Sequence, residues 1–182
     1  MTAPHNGLLR APHNAFPRLR HDHGPCMRAA LDAAAALARE RGLRFTPLRK
    51  HVLEIVLASH RPMGAYDILN ELAQSPGTRK PAPPTVYRAL DFLMRHSFVH
   101  RIDTLNAYIA CFAPERRHRT QFLLCKACGS VAEIEDAALA AALARAAADA
   151  GFAAERETVE ISGLCPDCAR NSRRTSMSAP SS

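Results

Sequence analysis

Tryptophan is missing from this 182-residue chain, and aromatic residues make up only 5% of it. Apolar residues still account for 47%, enough to bury a core. No apolar run approaches the roughly 18 residues that a membrane span needs, which excludes a transmembrane class. Met1 to Pro25 holds Pro, His, Arg and Asn but no apolar h-region, so no secretory signal is expected. A cytoplasmic location follows as the expectation, with thiols kept reduced. There, paired Cys-x-x-Cys motifs read as metal sites before disulfides. None of the nine His is followed by x-Glu, which a zinc deaminase would need. No catalytic set stands out, so neither an enzyme nor a small-molecule substrate is expected.

The formal net charge is +7, unevenly spread. Residues 29–107 carry 11 Lys and Arg against 7 Asp and Glu, whereas residues 108–170 carry 7 against 9. A basic half beside a slightly acidic half suggests that only the first meets a polyanion. Ordinary solubilising charge would look similar.

Residues 1–26 are polar, Pro-punctuated and without periodicity, and read as a disordered extension. Its His5, His13, His21, His23 and Cys26 suit an accessory metal tail, but a flexible extension that binds nothing specific is the favoured reading. Met27 to Arg41 reads as an Ala-rich helix stopped by Gly42. Thr46-Pro47 opens a second helix, with Leu48, Val52, Leu53, Val56 and Leu57 as its apolar stripe. Ala65 to Gln74 forms a third. Pro81 to Pro84 leads into a fourth, Thr85 to His96. Two strands follow, Phe98 to Ile102 and Ala107 to Phe112, with a turn at Asp103 to Asn106. Helices followed by a hairpin describe a winged helix-turn-helix over residues 27–107. Residues 108–170 then read as a small α/β unit: strands Gln121 to Leu124, Val131 to Ile134 and Thr158 to Ile161, and a helix from Asp136 to Ala150. Residues 171–182 are Ser-rich and basic and are expected to be disordered. The fold class is α+β.

Cys125-x-x-Cys128 and Cys165-x-x-Cys168 are two zinc knuckles. Each turn brings two thiolates together, and two such turns complete a tetrahedron. The gap of 36 residues (129 to 164) exceeds that of a minimal ribbon, so the ion would staple the ends of a folded unit. A redox pair would sit in a βαβ context, which is not found here. His100, Cys111, His118 and Glu133 offer a second borderline-soft set suited to zinc. Spacing alone does not make them a site, because an isolated His is more often a surface or core residue.

Thr85, Tyr87 and Arg88 open the fourth helix. In a helix-turn-helix, the N-terminal residues of the second helix enter the major groove. Arg88 is suited to guanine O6 and N7, and Tyr87 to a phosphate or a thymine methyl. Arg44, Arg49, Lys50, Arg79 and Lys80 are candidate phosphate contacts, although any one basic residue is more often simply solvated.

With these residues in view, the chain resembles the ferric uptake regulator family. Thr46-Pro47-Leu48-Arg49, Ala65-Tyr66-Asp67, the run from Pro84 to Leu93 and the paired knuckles carry the resemblance, which covers roughly residues 28–170. Within the family it looks most like the zinc uptake regulators. Phe98-Val99-His100 and the stretch from Asn106 to Cys111 match their pattern. The segment Glu115 to Thr120 has one His where iron-sensing members carry a His-rich run, and no peroxide-sensing Asp and His set is found.

The resemblance implies a homodimer with an N-terminal winged helix and a C-terminal dimerisation domain. It assigns two zinc ions per chain: a structural one at the four cysteines, and a regulatory one at His100, Cys111, His118 and Glu133. It implies a cytoplasmic zinc-responsive repressor of zinc-uptake genes, acting on palindromic double-stranded operators. The alternatives are an iron- or peroxide-responsive regulator of the same family, or a thiol redox sensor using Cys26 or Cys111.

Overall fold

The computed structural model describes residue 16 and residues 23–59, 61–75, 81–111, 113–115 and 120–177. The N-terminal half packs four helices, α1 (His23–Glu40), α2 (Pro47–Leu57), α3 (Ala65–Gln74) and α4 (Pro83–Arg95), against a small sheet. That sheet has the order β1-β3-β2, from β1 (Met63–Gly64), β2 (Val99–Ile102) and β3 (Ala107–Ala110).

Thr46 caps α2 by accepting the Arg49 N–H at 3.4 Å, and Pro47 at the first helical position gives up no bond that the helix would use. The α1 helix ends at Glu40, and the turn after it passes through Gly42, whose φ of 63° is open to glycine at no steric cost. Helical spacing puts Val52, Leu53 and Val56 of α2 in one core with Ile68, Leu69 and Leu72 of α3 and Val86, Leu90 and Leu93 of α4. Each fully buried aliphatic side chain contributes about 1.5–3 kcal/mol.

The C-terminal half is a three-stranded sheet of order β5-β4-β6, from β4 (Gln121–Cys125), β5 (Val131–Ile134) and β6 (Val159–Gly163). Strand β4 pairs antiparallel with β5 and parallel with β6. The crossover is helix α5 (Ala137–Asp149), capped by Asp136, whose Oδ1 accepts from the N–H groups of Ala138 and Leu139. Helix α6 (Pro166–Met177) follows the second knuckle.

The two halves share a second apolar cluster. Ile102 and Ile109 of the wing hairpin pack on Phe122, Leu124 and Val131 of the C-terminal sheet. Strand register explains the match. His100 pairs with Ile109, and the period of two puts Ile102 on the same face as His100. Phe122 pairs with Glu133 on one side and Glu160 on the other, so these three side chains form one row across the sheet, facing the wing. Arg41 adds a tie between elements: its guanidinium donates to the carbonyls of His96, Pro114 and Glu115.

Four expectations change. The α1 helix begins at His23, inside the stretch assigned to a disordered extension; the rest of residues 1–22 apart from residue 16 lies outside the described residues. The expected domain boundary at 107/108 falls inside β3, because the wing needs Tyr108 to Ala110 to complete its ladder. The disordered tail assigned to 171–182 is helical through Met177. The turn that starts at Pro166 propagates through residues that do not break a helix, and the next proline is Pro180. Strand β1 has no counterpart in the sequence reading, being two residues long and formed only by pairing with β3.

Candidate metal centres and nucleic-acid interface

Cys125 ends β4, Cys128 closes the turn after it, Cys165 follows β6, and Cys168 lies in the first turn of α6. Their four sulfur atoms all lie within 4.8 Å of one another. Cys128 Sγ is 3.8 Å from Cys165 Sγ, which suits two thiolates on one tetrahedral zinc (about 3.8 Å apart at 2.3 Å bonds) and is far too long for a disulfide.

The backbone builds this cradle. Gly129, at φ 73°, turns the first knuckle, and its N–H donates to the Cys125 carbonyl at 2.9 Å. The Lys126 N–H donates to the Gly163 carbonyl at 2.8 Å, tying that knuckle to β6. The Cys165 N–H donates to Cys125 Sγ at 3.2 Å. Burial pushes the Cys125 thiol up, but the N–H groups of Cys128, Cys165 and Ala127 outweigh it and bring it to about 6. Cys168 is pushed up to about 12, chiefly by its hydrogen bond with Cys165. One thiolate is thus favoured by the fold, and further negative charge beside it needs a cation.

The second set brings His100, Cys111 and Glu133 together, with ligand atoms all within 4.8 Å. His100 comes from β2, Cys111 follows β3, and Glu133 comes from β5, so the set spans both halves of the chain. His100 Nε2 lies 3.6 Å from Glu133 Oε1, too long for a good hydrogen bond and near the spacing of two ligands on one zinc (about 3.4 Å). The surroundings orient each donor. Phe122 meets the His100 ring edge-on at 5.4 Å, the Thr120 hydroxyl donates to Glu133 Oε1, and the Ala113 N–H donates to Cys111 Sγ. Imidazole, thiolate and carboxylate fit zinc. His118 lies outside the described residues.

On α4, Val86, Ala89, Leu90 and Leu93 face the core, which leaves Thr85, Tyr87 and Arg88 exposed at the N-terminal end. Arg44 and Lys50 are also exposed, and Lys50 lies 4.0 Å from Glu54. Arg49 is placed differently. Its guanidinium sits 3.6 Å over the Phe92 ring and donates to the Arg44 carbonyl, so it joins α2 to α4. Arg79 and Lys80 lie outside the described residues. One residue absent from the sequence-derived set is Tyr66. It is 68% exposed in the first turn of α3, the helix before α4 in a helix-turn-helix. The sequence offered its place in the Ala65-Tyr66-Asp67 motif, but only the structure shows a large aromatic side chain left so open.

The profile of the ferric uptake regulator family matches residues 40–162. The zinc uptake regulation proteins of Escherichia coli strain K12 and Shigella flexneri are each 34% identical over 139 residues, covering 76% of this chain and 80% of theirs. Among solved structures, a zinc uptake regulator complexed with zinc and DNA aligns with a TM-score of 0.76 at 32% identity, covering 81% of this chain and 97% of the other. The holo form of XcZur aligns with a TM-score of 0.72 at 39% identity, covering 78% and 98%.

Proposed function

Since the chain belongs to the ferric uptake regulator family, on its zinc uptake regulator branch, we propose that it is a cytoplasmic, zinc-responsive repressor. In this reading it binds palindromic operator DNA as a zinc-loaded homodimer and represses zinc-uptake genes. The observation that carries the reading is the set of His100, Cys111 and Glu133, drawn from the wing and from the C-terminal sheet.

Two zinc ions per chain are proposed. Cys125, Cys128, Cys165 and Cys168 hold the structural one. His100, Cys111 and Glu133 hold the regulatory one, with His118 as the fourth ligand. When bound, zinc supplies a redox-inert dication that lets thiolate and carboxylate sit side by side. His100 and Cys111 then fix the base of the wing hairpin against Glu133 of β5. Ile102 and Ile109 stay seated on Phe122 and Leu124, and the wing and α4 keep one orientation relative to the C-terminal half. Thr85, Tyr87 and Arg88 are presented for the major groove, with Tyr66 beside them and Arg44, Lys50, Arg79 and Lys80 as phosphate contacts.

The homodimer is supported by the C-terminal surface. Strand β6 is an edge strand, and Ile161 and Leu164 are 48% and 50% exposed on or just after it. Such an edge needs covering, and a second copy would place two recognition helices on one palindrome. No helix among the described residues is long and apolar enough to cross a membrane.

Metal and DNA would each favour the closed arrangement, so each tightens the other, by about 5–150-fold for a coupling of roughly 1–3 kcal/mol. The test is selection from a random duplex pool with and without zinc. Enrichment of a palindrome only with zinc supports the reading. Equal enrichment in chelator, or with iron alone, overturns it.

A further inference from the structure

The wing hairpin is gripped at both ends. At its base lie His100 and Cys111. At its tip, the turn after β2, the Asp103 N–H donates to Glu160 Oε1 at 2.6 Å and the Thr104 N–H donates to Glu160 Oε2 at 3.0 Å. Glu160 comes from β6, across the interface between the two halves. One carboxylate thus accepts two consecutive backbone donors, an arrangement that needs both oxygens and a negative charge. Arg156 reinforces it from the same side, with Nη2 3.6 Å from Asp103 Oδ2. Within the turn, Arg101 holds Asp103 and Asn106.

The two grips share one row of the sheet. Glu133, Phe122 and Glu160 are in register on β5, β4 and β6, which spans about 10 Å at strand spacing. Along the wing, the distance from His100 to the turn is also about 10 Å, three residues at strand rise. A hairpin held only at its base can pivot about that point, whereas one held at two points cannot.

We propose that Glu160 is a positioning residue for the wing, docking the hairpin's tip on the C-terminal sheet so that His100 and Cys111 are held opposite Glu133 before any ligand arrives. The inference rests on the proposed regulatory site. The set at the base is then preorganised by a metal-independent latch at the tip, and loss of the latch weakens that site from about 10 Å away.

The experiment uses the full-length chain with its four-cysteine zinc in place and compares wild type, Glu160→Gln and Arg156→Ala. Amide hydrogen exchange is read at Asp103 and Thr104, and affinity for a second zinc is read by competition with a fluorescent chelator. Glu160→Gln keeps the side-chain length but presents an amide NH₂ to a backbone donor. It is expected to speed exchange at both amides and to weaken the second zinc about tenfold while leaving the first bound. Arg156→Ala should move both readings the same way by less. A purely local role would leave zinc affinity unchanged, and that result overturns the proposal, as does unchanged amide exchange. Should Glu160→Gln not fold, Arg156→Ala decides by the same two readings. A wild-type chain that takes only one zinc defeats the regulatory-site reading instead. The exchange rates at Asp103 and Thr104 then decide separately whether Glu160 holds the turn.

Discussion

Glu133 and Glu160 flank Phe122 in a single row of the C-terminal sheet, and each reaches one end of the same wing hairpin. One carboxylate faces an imidazole and a thiol, whereas the other faces the Asp103 and Thr104 N–H groups and the Thr104 hydroxyl. The first belongs to the proposed metal set and the second to a contact made without metal, so substitutions in the two are expected to have different consequences.

At the metal set, His100→Ala or Cys111→Ser should leave a folded chain that retains one zinc and loses the second. Zinc-dependent DNA binding should fall by about 5–150-fold, the range of a typical coupling. Metal content per chain after gel filtration checks the first statement, and a zinc titration of DNA binding checks the second. A variant that holds two zinc ions would refute the ligand assignment.

Cys165→Ser acts on the other centre. Cys165 is buried, and its Sγ lies 3.8 Å from Cys128 Sγ and accepts the Cys168 N–H, so the change removes one ligand at the centre of the cluster and the contacts that sulfur makes. Structural zinc sites of this kind supply about 10–16 kcal/mol, more than most domains have to spare. The expected outcome is loss of the zinc and of a cooperative unfolding transition in the C-terminal half. A chain that melts cooperatively without zinc would show that the four cysteines are not the staple.

Two arginines near α4 should separate stability from binding. Arg88→Ala leaves the core untouched, and should weaken DNA binding by about 1–3 kcal/mol while leaving the melting temperature unchanged. Arg49→Ala removes the guanidinium stacked on Phe92, and should cost about 1–2 kcal/mol of folding stability. Thermal melts beside DNA titrations distinguish them. The reverse pattern would exchange their roles.

The latch at the wing tip has a predictable pH range. Burial pushes the Glu160 carboxyl up, but the Thr104 hydroxyl and the Thr104 and Asp103 N–H groups outweigh it and hold it below its ordinary value of 4.5. A lowered folded-state value means the stabilisation is complete above the unfolded value and is lost as pH falls through the folded one. The gap in melting temperature between wild type and Glu160→Gln should therefore be constant from pH 6 to pH 8. It should narrow only in acid below about pH 4.5. A gap that changes across neutrality would mean that another group carries the effect.

The sequence shows some of this more clearly than the rest. The knuckles are legible because two cysteines three positions apart converge through local turn geometry alone. The helices of the first half are legible because Val52, Leu53 and Val56, then Ile68, Leu69 and Leu72, repeat at helical spacing. His100, Cys111 and Glu133 meet only when a hairpin docks face to face on a distant sheet, which no local pattern encodes; their chemistry marked them as candidates, and only family resemblance assigned them as one site. The role of Arg49 depends on where Phe92 lies, 43 positions away in the chain. Glu160 reads in sequence as one more solvated carboxylate, until β4 pairs with β6 and turns it toward the wing.

Strand β4 carries a consequence for the order of assembly. Its last residue is Cys125, and its neighbour β5 presents Glu133. On the proposed assignment, closing the four-cysteine centre around its own ion would anchor the end of the strand against which the Glu133 strand is paired. On that assignment the protein would acquire one zinc as a condition of maturity and only then report on the supply of more. A newly made chain in a starved cell would be an immature molecule, not an unliganded sensor, and the two populations would differ in lifetime as well as in DNA binding.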